Sequence, residues 1–112
     1  QWVFHAVGPV WDGGVSDEAR LLASAYMSCM ILANDRACET IAFPAISTGI
    51  YGYPVNLAAE VALSTLAKIL EKGDTTVKTA ILVLYDHPTY ATHLAELSHL
   101  SKSNGWPLGE WV

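Results

Sequence analysis

An α/β fold is what this sequence predicts: three layers, αβα, with a mainly parallel three-stranded sheet and three helices in a single domain. Short apolar runs at Trp2–Val7, Thr40–Ile46 and Val77–Tyr85 alternate with longer segments of helical periodicity. The runs are continuous in apolar character rather than alternating, as expected of strands covered by helices on both faces. Strand–helix–strand order in turn calls for crossover connections and parallel pairing.

Each element has a local reason. Trp2–Val7 is the first expected strand, and Gly8–Val15 is a loop punctuated by Gly8-Pro9 and Gly13-Gly14. Ser16 is a good N-cap, with Asp17 and Glu18 suited to the positive end of a helix that runs to about Asn34. Leu22, Tyr26, Cys29 and Ala33 share one face of it. Thr40–Ile46 is the second strand. Pro54 fits the first position of the next helix, whose buried side is Leu57, Val61, Leu66, Ile69 and Leu70, and Lys72-Gly73 closes it. Val77–Tyr85 is the third strand. Pro88 opens a last helix reaching about Lys102, buried through Tyr90, Leu94 and Leu97. The tail, with Trp106 and Trp111, is too apolar for a plain solvated end.

Composition narrows the function. With 52% hydrophobic and 15% charged residues over 112 positions, the chain is not disordered. A net charge of −5 argues against nucleic acid, which is usually met by a basic stripe, and against an anionic membrane surface. No apolar run approaches the ~18 residues of a membrane span. Cys29 and Cys38 lack metal-ligand spacing with a histidine and are expected as free thiols, in keeping with a cytoplasmic location. No metal and no cofactor is expected.

The most informative stretch is Pro44-Ala45-Ile46-Ser47-Thr48-Gly49-Ile50-Tyr51-Gly52-Tyr53-Pro54, between an expected strand and an expected helix. Glycines at 49 and 52 permit positive φ and a close approach to the main chain. Successive N–H groups in such a turn can converge on an anion, and the following helix N-terminus adds the positive end of its dipole. Small residues also occupy strand-to-helix turns for steric reasons alone. The loop has neither the P-loop GK[ST] nor the dinucleotide glycine fingerprint, so spacing leaves both readings open.

The run Phe43–Pro54 closely resembles the second ligand loop of the macrodomain family, modules that bind ADP-ribose. Val3–Trp11 with Gly13-Gly14 is similar to the family's earlier strand and turn, and Ile81–Asp86 to its last strand. The likeness is closest to the MacroD-type branch, whose members hydrolyse O-acetyl-ADP-ribose or remove ADP-ribose from proteins. It covers only the C-terminal part of the module: the first two strands, the Asn-Ala-Ala-Asn segment and the glycine-rich first ligand loop have no counterpart here. The resemblance implies a truncated macrodomain-like fold that binds ADP-ribose or a related nucleotide diphosphate. It implies that Ser47, Thr48, Gly49, Ile50, Tyr51 and Gly52 wrap the diphosphate and distal ribose. Gly49 to Tyr51 would offer N–H groups, and Tyr51 would lay its ring on the ribose. Leu84 and Tyr85 resemble positions on the adenine side.

No catalytic residue is assigned. The family's catalytic asparagine is absent, so an ADP-ribosyl or O-acetyl-ADP-ribose hydrolase is the alternative reading, with its missing half cut away or supplied by a partner; a structural oligomerisation unit without ligand is another. Asp86 and His87 are an adjacent acid/base pair on the rim, for which a helix N-cap role competes. His5 reads as a core histidine, and His93 and His99 point to different helix faces. By the resemblance, a strand belongs between Trp2–Val7 and Thr40–Ile46. Without it, Trp2–Val7 would slide over to pair with Thr40–Ile46, or a second copy would cover the gap. Either way a homodimer is expected, with Trp2, Trp106 and Trp111 at its apolar interface.

Overall fold

The computed structural model describes residues 1–105. Five elements follow one another: α1 (Glu18–Asp35), β1 (Thr40–Phe43), α2 (Val55–Lys72), β2 (Thr79–Leu82) and α3 (His87–Asn104). The fold is α/β with three helices and a parallel sheet, as expected. Among the described residues the sheet has two strands, paired in the register Thr40↔Thr79 to Phe43↔Leu82.

Both strands are shorter than their apolar runs because pairing ends where the partner ends. The last bond beyond the paired residues runs from Val83 N to the Phe43 carbonyl at 2.8 Å. Among the described residues Trp2–Val7 is no strand: it neither slides onto β1 nor pairs with another segment, and no backbone hydrogen bond joins it to β1. An apolar run becomes a strand only when a second backbone accepts its N–H and C=O groups. Trp106 and Trp111 lie outside the described residues.

Ile41, Phe43, Ala80 and Leu82 point inward, while Thr40, Ala42, Thr79 and Ile81 are exposed on the opposite face. The core joins Leu22, Tyr26, Cys29, Met30 and Ala33 of α1 to Phe43, Tyr53, Val77 and the Ala58, Ala62 and Leu66 stripe of α2. Tyr26 and Phe43 pack tilted, with ring centroids 5.1 Å apart. Helix α2 packs against both α1 and α3. Its buried positions are mainly alanines (58, 59 and 62), which let neighbouring backbones come close, whereas Leu57 is exposed, contrary to expectation.

The helix ends follow local chemistry. Gly73 ends α2 in the left-handed conformation, φ 76°. Pro54 stands one place earlier than expected, as the N-cap of α2. Asp86 caps α3, accepting from Thr89 N at 2.9 Å, so the cap reading of this residue holds over the acid/base one. That backbone hydrogen bond, with a further one from the Thr89 side chain, holds the Asp86 carboxyl below its ordinary value. Ser16 does not cap α1. Asp17 holds that position at φ 63° without a side-chain cap, and Glu18 turns back instead.

Candidate functional site

Helix α1 and the turn before it are joined by one carboxylate. Glu18, 2% exposed, accepts from Asp12 N (2.9 Å), Gly14 N (2.8 Å) and Ser16 N (2.6 Å). Burial by itself would raise its pKa, but the backbone N–H groups converging on it outweigh that and hold it below the ordinary value. Gly13 and Gly14, at φ 71° and 85°, supply the tight turn that aims these N–H groups at one side chain. Glu18 was expected as a helix-dipole residue; the three donors lie two to six residues before it, a local turn for which the Gly13-Gly14 pair was the signal.

The turn so held is tied to the Ser47–Gly52 loop. Trp11 N donates to the Tyr51 carbonyl at 2.9 Å, and the Trp11 and Tyr53 rings lie 4.7 Å apart at 48°. Gly8 sits against the loop so closely that a Cβ there would lie 2.2 Å from Ser47 Oγ and 2.5 Å from Ile46 Cγ2. Only glycine fits.

The loop closes on itself. Tyr53 N donates to the Ser47 carbonyl (3.0 Å), Gly52 N to the Gly49 carbonyl (3.0 Å), and Thr48 Oγ1 to the Ala45 carbonyl (2.8 Å). Its start is pinned by Tyr26, whose hydroxyl accepts from Ile46 N at 3.2 Å and donates to the Pro44 carbonyl at 3.3 Å. Burial pushes the Tyr26 pKa up to about 12, so the hydroxyl keeps its proton and serves both bonds. The positive-φ residues are Ser47 (68°) and Gly52 (71°); Gly49, expected to be one, is not. Serine tolerates that geometry here because the Tyr53 bond and the Gly8 contact hold it in place.

The N–H groups of Gly49, Ile50 and Tyr51 donate to no group among the described residues, while those of Thr48, Gly52 and Tyr53 are all used within the loop. Three successive free donors therefore precede the Pro54 N-cap of α2 by two residues, and the first turn of α2 carries no acidic side chain. Ser47 Oγ is the one buried side-chain polar atom without a partner among the described residues. Ile50 is fully exposed and Tyr51 is 40% exposed. Across the rim, Leu84 is half-buried and Tyr85 is 98% exposed. His87 stacks beside Tyr90, with centroids 6.5 Å apart. His5 is exposed rather than in the core, because the segment carrying it is not a sheet strand. His93 is buried, with Nδ1 2.8 Å from the Thr89 carbonyl.

A strand, a turn of free N–H groups and a helix N-terminus, linked to a glycine-rich turn from an earlier segment, also describe proteins of known family. The family model "Macro domain" matches residues 1–62. The chain belongs to the macro domain family. A macro domain-containing protein of Lactiplantibacillus plantarum is 41% identical over 102 residues, which is 88% of this chain and 59% of that one. An O-acetyl-ADP-ribose deacetylase of Enterobacter sp. is 54% identical over 70 residues, 62% of this chain and 39% of the enzyme. The Oceanobacillus iheyensis macrodomain with ADP superposes with a TM-score of 0.81 at 34% identity, covering 87% of this chain and 50% of that structure. This macro domain chain thus spans about half the length of the relatives it matches.

Proposed function

We propose that this macro domain chain binds ADP-ribose, or a related nucleotide diphosphate, through Ser47–Gly52. The observation that carries the reading is the set of unused N–H groups at Gly49, Ile50 and Tyr51 in front of the α2 N-terminus. Such a cradle holds phosphate oxygens without a basic side chain, which suits a chain of net charge −5. The likeness to the ADP-bearing Oceanobacillus macrodomain and to an O-acetyl-ADP-ribose deacetylase supports the same ligand class. Tyr51 then lies against the distal ribose, and Leu84 and Tyr85 against the base.

Gly49→Val tests the loop without disturbing it. Gly49 does not need positive φ, and a Cβ there meets no protein atom within 4 Å. Calorimetric titration with ADP-ribose should show at least a tenfold loss of affinity, about 1.4 kcal/mol, with an unchanged melting temperature. Undiminished binding by the variant, or none by the wild-type chain, would overturn the reading. The deacetylase likeness favours hydrolysis as a second activity, dependent on residues outside these 112. The chain alone is then expected to bind but not turn over O-acetyl-ADP-ribose.

A further inference from the structure

Glu18 is a buried carboxylate with no hydrogen bond to the Ser47–Gly52 loop, yet the turn it holds ends one residue from the N–H that reaches the loop. Oε2 accepts from Asp12 N and Gly14 N, and Oε1 from Ser16 N. Ser16 Oγ donates to Asp12 Oδ2 at 2.8 Å, so the turn is closed on itself as well as on Glu18. The next N–H back along the chain is that of Trp11, which donates to the Tyr51 carbonyl at 2.9 Å. Two consecutive N–H groups thus serve two acceptors, Asp12 N the carboxylate and Trp11 N the loop.

The Tyr51 carbonyl is a sensitive place for such a tie. Among the described residues, the Trp11 bond is the one hydrogen bond that joins Ser47–Gly52 to a segment outside 44–54. The Tyr51–Gly52 peptide has both of its groups used, the carbonyl by Trp11 N and Gly52 N by the Gly49 carbonyl. A planar peptide held at both groups has its orientation set. The free N–H groups of Gly49, Ile50 and Tyr51 come directly before it. Tyr53, at the end of the loop, meets the same turn through its ring, 4.7 Å from that of Trp11. Burial, followed by the charges of Glu18 and Glu60, pushes the Tyr53 pKa up, so the Glu18 carboxylate is felt at the loop's end as well.

We propose that Glu18 is a positioning residue for the nucleotide site: through the Asp12–Ser16 turn and the Trp11 N–H it sets the Tyr51–Gly52 peptide, and with it the aim of the three free N–H groups at the diphosphate. A carboxylate suits this part. Both of its oxygens accept, whereas an amide would turn an NH2 group onto one of the three donors. Burial works against the charge, but the converging N–H groups outweigh it and keep Glu18 ionised at neutral pH. A cradle ordered before the ligand arrives spares part of the ordering cost of binding. The proposal rests on the nucleotide-binding reading of Ser47–Gly52 and adds a residue that acts from outside the loop.

The test compares wild type, Glu18→Gln and Met30→Ala, a core truncation further along α1, all below their melting midpoints. Calorimetric titration with ADP-ribose should show Glu18→Gln weakened by about three- to tenfold and Met30→Ala unchanged. Without ligand, exchange of the Trp11 and Gly52 amides should quicken in Glu18→Gln by about fivefold, the factor of one hydrogen bond. That change should exceed any at Ala62 and Leu66 in the core of α2. In wild type, saturating ADP-ribose should slow exchange at Asp12, Gly14 and Ser16, because coupling between two sites is reciprocal. This last measurement depends on no variant folding. Undiminished or tighter binding by Glu18→Gln would overturn the proposal, as would an equal loss in Met30→Ala. So would unchanged Trp11 and Gly52 amides in Glu18→Gln, or a turn that gains no protection from the ligand. If wild type binds no ADP-ribose, the nucleotide reading falls, and the ligand-free exchange still decides whether Glu18 sets the loop.

Discussion

Trp2–Val7 and Thr40–Phe43 are similar as sequences and opposite as structures. Both are short apolar runs followed within a few residues by a glycine and a proline. Thr40–Phe43 pairs with β2, packs Phe43 under Tyr26 and delivers a loop bonded at both ends. Trp2–Val7 is held by Trp2 on Arg36, by Phe4 against the core and by the neighbouring Gly8 on the loop, with Val3 and Val7 almost wholly in solvent. A strand is thus a property of two backbones rather than of one apolar run. Stability concentrates where neighbours exist, and the unpaired segment is left at the low-stability end of the molecule.

The largest contrast should come from cutting one side chain on each side of this divide. Phe43→Ala removes a buried phenylalanine of β1 and should cost about 3–5 kcal/mol. Val3→Ala should stay within ~0.5 kcal/mol; urea unfolding of the two variants measures both. A comparable loss from Val3→Ala would show that the first segment is as much part of the core as β1.

Acidification probes the Glu18 clamp that holds the turn after the first segment to α1. Its folded pKa is depressed below the ordinary 4.5, so its stabilisation is fully present above that value and is lost as pH falls through the lower folded pKa. Glu18→Gln should therefore melt earlier than wild type at pH 7, and the difference should narrow in acid. A gap that is constant with pH would assign Glu18 a packing role alone.

Gly8→Ala should destabilise by about 1–3 kcal/mol through overpacking against Ser47 and Ile46. Added protease should then cut the first ten residues sooner than in wild type. A smaller effect than that of Gly8→Ala belongs to Tyr26→Phe, which removes the hydroxyl serving Ile46 N and the Pro44 carbonyl and should cost about 0.5–1.5 kcal/mol. It should weaken ADP-ribose binding modestly by loosening the start of the loop, as titration would show.

The readable part of this protein is the part with local causes. Helical periodicity and end signals placed all three helices, with Gly73 and Asp86 closing and opening them as expected. The Ser47–Gly52 string carried both the family and the candidate site, because free N–H groups before a helix depend on a few adjacent residues. The likeness in Val3–Trp11 identified the first segment without revealing its structure.

What the sequence alone determined is therefore the order of elements, the macro domain relationship and the loop that presents Gly49, Ile50 and Tyr51. Tertiary structure decided the remainder. It left Trp2–Val7 unpaired, set Gly8 against Ser47 and tied Trp11 N to the Tyr51 carbonyl. Each depends on which distant backbone stands alongside, and hydrogen bonds across space are written in no single stretch of the chain.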